Sequence, residues 1–180
     1  MSKRNVSFVI VCEDQQQEAF ARRYLVKRGI HYRSIRVKRS PAGRGAGVHF
    51  VKTQLVQEIK TFRQKNYITS NAIVVMIDAD TLSVDDRMQQ INTHLKTNGL
   101  ESVQQNENIA VFIPKRNIET WIYYAQGKPV DEETSYPKLQ TPGCCRDAVD
   151  EFVNHICKDR VSADAPSSLN HACDELKKIL

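Results

Sequence analysis

The chain has 180 residues, 41% of them hydrophobic, which suffices for one domain or for one core with a short C-terminal appendage. No apolar run approaches the ~18 residues of a membrane span, and MSKRNVSFVIVCED lacks the long apolar segment and cleavage site of a secretory signal, so a cytoplasmic protein is expected. Five cysteines without regular spacing suit free thiols in a reducing compartment, and the net charge of +5 is modest but unevenly placed.

In chain order, a strand is expected at about 6–12, then a helix at about 15–28 with Phe20, Tyr24 and Leu25 on its apolar stripe and Gly29 as its stop. A second strand is read at about 31–38, and SPAGRGAG at 40–47 is a loop. Residues 48–65 read as a second helix that turns Phe50, Leu55, Ile59 and Phe62 inward. Next come a third strand at about 72–78, a third helix at about 84–97 before Asn98 and Gly99, and a fourth strand, IAVFIP at 109–114. KRNIETWIYYAQG then forms a short helix from Asn117. This alternation predicts an α/β fold, a mainly parallel sheet of about four strands with helices on both faces. After Gly127 a polar, Pro-bearing loop, KPVDEETSYPKLQTPG, leads to helices at about 144–159 and 168–179. The expected organisation is a domain over 1–127 and a helical appendage over 128–180, packed on it or used for partner contact.

Two acidic clusters carry the chemistry. FVIVCED at 8–14 and AIVVMIDAD at 72–80 are Val- and Ile-rich runs that stop at carboxylates, which puts Glu13, Asp78 and Asp80 on the rim beyond the strand ends. Asp78 and Asp80 share a face, with Ala79 pointing away between them. Carboxylates crowded in this way repel one another, and a Mg²⁺ or Mn²⁺ ion removes that penalty while enabling phosphate chemistry. The bland alternative is that Asp80 merely caps the helix that follows; Asp85 and Asp86 fit the acid-rich first turn of that helix better than a metal site.

From Arg22 to Arg44 the chain carries Arg22, Arg23, Lys27, Arg28, Arg33, Arg36, Lys38, Arg39 and Arg44 with no acidic residue between them. A polyanion is the natural partner of such a run, with a solvated basic face as the competing reading. Arg36, Lys38, Arg39 and Arg44, with Lys115 and Arg116 beside the carboxylate rim, are the candidate phosphate-binding residues. Trp121, Tyr123 and Tyr124 could stack bases, although core packing suits Trp121 better. The pairs His155/Cys157 and His171/Cys173 invite a zinc reading, but residues two apart on a helix diverge and cannot share one metal.

A strand ending in Glu, a helix, a second strand and helix, and a third strand ending in DxD is the order of the TOPRIM domain. That domain is found in topoisomerases, bacterial primases, overcoming-lysogenization-defect nucleases and small maturation nucleases. Over about residues 5–126 the chain resembles it, VIVCEDQQQEAF matching the first motif and VVMIDAD the second. Pro114, Lys115, Arg116, Ile118, Glu119 and Trp121 resemble a segment of the wider TOPRIM-like set, which makes a small TOPRIM-like family the nearer match. The resemblance implies a Rossmann-like sheet, Glu13 as metal ligand or general base, Asp78 and Asp80 as the metal-binding pair, and Glu119 as a further ligand. Asp14 stands where that family usually has Gly, Gln17 where it has an acidic residue, and TLSVDD lacks the glycine that often follows DxD.

Together these features lead to a Mg²⁺-dependent nuclease that cleaves or nicks nucleic-acid phosphodiesters, with DNA favoured over RNA. The resemblance further implies a separate ATPase partner and a role in anti-phage defence. An RNA-maturation nuclease is a related option. A non-catalytic module that binds nucleic acid or scaffolds an ATPase is the contrasting one, kept open by Asp14 and Gln17.

Overall fold

The computed structural model describes residues 6–41, 46–65, 70–158 and 161–180. Its sheet is built from β1 (Ser7–Cys12), β2 (Ile35–Arg39), β3 (Asn71–Met76) and β4 (Ile109–Phe112), all parallel and in the order β2-β1-β3-β4. Between them run α1 (Gln15–Lys27), α2 (Gly47–Lys65) and α3 (Val84–Thr97), and after β4 come α4 (Ile118–Ala125), α5 (Arg146–Asn154) and α6 (Ser167–Leu176). The chain moves from β1 to one neighbour, then crosses back to the other. That reversal makes the gap beyond β1 and β3 the topological switch point of the sheet.

Alternation along the strands divides the core into two layers. Phe8, Ile10 and Cys12 of β1 and Ala72, Val74 and Met76 of β3 pack with α1, α4, α5 and α6. Val9, Val11, Ile73 and Val75 point the other way, onto Val51, Leu55 and Ile59 of α2 and Ile91 and Leu95 of α3. Trp121 of α4 is buried, and its indole N–H donates to Ser168 Oγ at 2.8 Å, so it is a core residue and not a base-stacking surface. Phe152 of α5 and Leu169 of α6 belong to the same apolar layer, which draws the segment after 127 onto the sheet.

The two edges of the sheet are treated differently. At β4, Glu175 of α6 accepts the Val111 N–H at 2.9 Å and a ring nitrogen of His171 lies 3.1 Å from the Val111 carbonyl oxygen. Side chains here do the work of a further strand. At the other edge, β2 carries Arg36, Lys38 and Arg39, charges that discourage strand pairing.

The expected helices and strands are present, with some boundaries moved. β2 starts at Ile35 and not near 31, because the His31 ring accepts the Arg33 N–H and winds Tyr32–Ser34 into a 3-10 turn. The helix expected from about 144 is a 3-10 turn over Pro142–Cys145 that runs into α5 and ends at Asn154. The expectation of free thiols holds for Cys12, Cys144 and Cys145 only. Cys157 and Cys173 are joined as a disulfide, since the turn after α5 folds back against α6 and brings their Cα atoms to 5.0 Å. Among the described residues no helix is long and apolar enough to cross a membrane.

Candidate functional site

β1 and β3 stop level with each other, Cys12 opposite Met76, and each is followed by acidic residues. Beyond Met76 the chain stays tied to β4 through Ile77 N–H to Phe112 O at 3.1 Å and Ala79 N–H to Pro114 O at 2.8 Å. The intervening Asp78 N–H points the other way and donates to Glu13 Oε1 at 2.6 Å. Glu13 thus joins the ends of the two central strands.

Gln17, fully buried one turn into α1, completes the link: its Oε1 accepts the Glu13 N–H at 2.8 Å and its Nε2 donates to Asp78 Oδ1 at 3.0 Å. Asp14 caps α1, accepting the Gln17 N–H at 2.9 Å, and its other oxygen meets Lys138 Nζ at 2.7 Å. Two of the three departures noted in the sequence, Asp14 and Gln17, therefore have structural roles. Asp14 closes the helix, and Gln17 is a neutral crossbar between the carboxylate-bearing strand ends.

Asp80 has a left-handed backbone, φ 55°, as does Arg116, φ 66°, and the two pair in an isolated antiparallel bridge. Non-glycine residues adopt this conformation at a cost of about 1–3 kcal/mol, and such strain collects at functional sites. Arg87 holds the turn. Almost fully buried, it donates through Nε to Asp78 O at 2.9 Å and through one terminal nitrogen to Ala79 O at 3.3 Å and Asp80 Oδ2 at 3.0 Å. Asp80 is not the cap of α3: Ser83 is, in a reciprocal box with Asp86.

These residues open on a cleft of about 1110 Å³. Glu13, Asp78 and Asp80 line it together with Arg39, Arg116 and Lys138. The other expected site residues lie elsewhere. Glu119 is buried, with Oε1 lacking a hydrogen-bond partner, and does not line the cleft, although its charge reaches Asp78. Lys115 turns away to donate to Leu82 O at 2.7 Å. Arg36 sits on the opposite face of β2, 3.7 Å from Glu58, Lys38 is exposed, and Arg44 is outside the described residues.

The electrostatics follow from crowding. Burial pushes the Glu13 carboxyl up to about 7, with Asp80 adding to the rise against the lowering effect of the Asp78 amide. Asp78 is held well above the usual carboxylate range, by burial first and then by Glu13, Asp14 and Glu119. Lys138 is raised by its hydrogen bond to Asp14. Hard oxygen donors short of a neutralising cation fit Mg²⁺ or Mn²⁺ in kind. As the side chains stand, however, no group of three or more Asp, Glu, His or Cys among the described residues is gathered to hold a metal. Glu13 Oε1 is committed to the Asp78 amide and Asp80 to Arg87.

The first residue of α2 sets how close that helix comes. A Cβ on Gly47 would lie 2.5 Å from Glu13 Oε2 and 3.0 Å from Glu13 Cβ, so only glycine lets the helix start against this carboxylate. Gly47→Ala is expected to keep the fold, since alanine favours a helix, but to displace Glu13 and cut any cleavage activity by about 100-fold. Melting temperature measured beside turnover separates the two effects.

Glu13 also predicts a pH dependence. An ordinary glutamate at 4.5 ionises before a folded one at about 7, so the folded protein holds a proton that the unfolded chain has lost. The stability contribution is complete below pH 4.5 and is lost as pH rises through 7, by up to roughly 3 kcal/mol. Denaturant titrations in EDTA should show this decline in the native chain and a flatter profile in Glu13→Gln; parallel profiles would refute the assignment.

Sequence reasoning missed Gln17 as a linker, Arg87, Gly47 and Lys138. Only Gln17 left a signal, one helical turn after Glu13. Compared with family models, curated proteins and solved structures, the chain matches none.

Proposed function

We propose that the chain is a divalent-metal-dependent nuclease that hydrolyses phosphodiester bonds of nucleic acid in this cleft. One observation carries the reading: Glu13, Asp78 and Asp80 line one cleft at the switch point of a parallel sheet, and the other charged residues of that cleft include Arg39, Arg116 and Lys138. Acidic groups for a cation and basic groups for phosphates are the parts that such a reaction needs. The resemblance of VIVCEDQQQEAF and VVMIDAD to the TOPRIM motifs supports the same conclusion, and with it a cytoplasmic setting, DNA ahead of RNA as substrate, and an ATPase partner in anti-phage defence.

Glu13, Asp78 and Asp80 would hold the Mg²⁺ or Mn²⁺ ion. When bound, the ion would neutralise a non-bridging oxygen and acidify a water. Arg39, Arg116 and Lys138 bind the strand's phosphates. Where Glu13 serves as base and not as ligand, its carboxylate would take a proton from the attacking water as the water oxygen bonds to phosphorus and the P–O bond to the leaving oxygen breaks. Arg87 keeps the Asp78–Asp80 turn rigid and takes no part in the chemistry.

A second reading has its own support. Because Glu13 and Asp80 already have protein partners, a module that binds nucleic acid without cutting it, or scaffolds an ATPase, fits the same cleft. Labelled DNA and RNA incubated with the protein in Mg²⁺, Mn²⁺ or EDTA, beside Asp78→Ala, decide between them. Metal-dependent cleavage lost in the variant is the expected result. Equal cleavage by the variant would remove the metal site, and binding without cleavage by either protein would favour the module.

A further inference from the structure

The cleft does not end at the strand tips. Gln15, Glu18 and Arg39 form a wall shared with a second groove of about 550 Å³ that continues along the outer face of α1. Arg22, Arg23 and Lys27 line it further along the helix. At 1.5 Å per residue, the stretch from Gln15 to Lys27 spans about 18 Å, the length of a few nucleotides.

The cations of this groove are unequally neutralised. Lys27 is held by Asp150 at 2.8 Å, whereas Arg22 reaches Glu18 at only 3.5 Å, and the same carboxylate holds Arg39 at 2.7 Å. Glu18 therefore serves two guanidinium groups. Arg23 also lines the groove, and its buried Nε has no hydrogen-bond partner. Ala19, Val26 and Pro142 supply an apolar floor, and no aromatic residue lines the groove. Such a surface grips a backbone and does not stack bases.

We propose that this groove is the track on which the substrate strand continues beyond the cleft: a single phosphodiester strand lies along α1, with phosphates outside the reacting position held by Arg22, Arg23 and Arg39. The inference rests on the nucleic-acid reading of the cleft. It also separates the basic run into parts, because Arg36 and Lys38 line neither cavity whereas Arg22 and Arg23, one turn beyond Glu18, follow directly from the cleft.

Fluorescence anisotropy in EDTA with labelled single-stranded 4-mers and 16-mers, in DNA and RNA series, tests it without requiring cleavage. In Arg22→Ala/Arg23→Ala the 16-mer is expected to bind at least tenfold more weakly and the 4-mer less than twofold more weakly. The slope of log affinity against log salt for the 16-mer should fall by about 1.4, two phosphate contacts at about 0.7 each. Arg22→Glu, a change at a half-exposed site, gives the same length-dependent loss if the double variant folds poorly. Equal weakening of both lengths, or none, overturns the track, as does a native protein that binds both lengths alike. Native protein that binds the 16-mer tightly but never cuts it in Mg²⁺ would leave the track standing while the nuclease reading fails.

Discussion

Asp78→Asn is expected to lower metal-dependent cleavage by a hundredfold to about a thousandfold while making the protein more stable. The variant keeps the Oδ1 that accepts the Gln17 Nε2 and replaces the second oxygen by an uncharged group of the same size. It removes the carboxyl that Glu13, Asp14 and Glu119 crowd. Loss of one preorganised electrostatic group usually costs 10²–10³ in rate, so an effect of about that size marks Asp78 as part of the reacting centre. Relief of like-charge crowding should at the same time add roughly 0.5–2 kcal/mol at pH 8 in the absence of metal. The two signs together are the diagnostic result, read from turnover and from urea denaturation. A variant as active as the native protein refutes the assignment of Asp78; one that loses activity and stability in parallel points to simple unfolding of the strand end.

The largest stability effect is expected far from the cleft, at Glu175. One oxygen accepts the buried Val111 N–H and the other pairs at 2.5 Å with Lys178 Nζ, both side chains being almost wholly enclosed. Glu175→Ala leaves an unmet backbone donor and an unpaired interior ammonium, which together should cost about 3–5 kcal/mol. Glu175→Ala combined with Lys178→Met removes the stranded charge and should recover part of that loss. An unfolding free energy for Glu175→Ala within about 1 kcal/mol of the native value would show that water reaches β4 and replaces the carboxylate.

How much of this was legible in the chain depended on the range of the interaction. AIVVMIDAD and FVIVCED announced buried strands ending in carboxylates, because burial on both faces requires unbroken apolar runs. The helix at about 84–97 was visible from Asn98 and Gly99 at its end and from Asp85 and Asp86 in its first turn, whereas its cap proves to be Ser83 and not Asp80. The basic run misled by its continuity. An extended edge strand sends Arg36 toward α2 and Arg39 toward α1, so neighbours in sequence part in space. Gln17 to Asp78, Arg63 to Glu107 and Asp14 to Lys138 join residues 61, 44 and 124 positions apart, and no local pattern encodes such pairs. Gly47 was read as the end of a loop, and its bareness acquires meaning only once Glu13 is seen against it.

The separation of Asp14 from Lys138 bears on the order in which the molecule assembles. β1, β3 and their carboxylates are all present by residue 80, whereas the lysine that closes one wall of the cleft belongs to the segment after α4. Contacts that enclose so long a loop form late, since chain entropy must be overcome before they return any energy. During synthesis the acidic residues of the cleft are therefore in the chain before its last cation arrives, and a ribosome-bound chain carries the carboxylates without the complete cationic wall. On this geometry the cleft is completed only by the final third of the polypeptide.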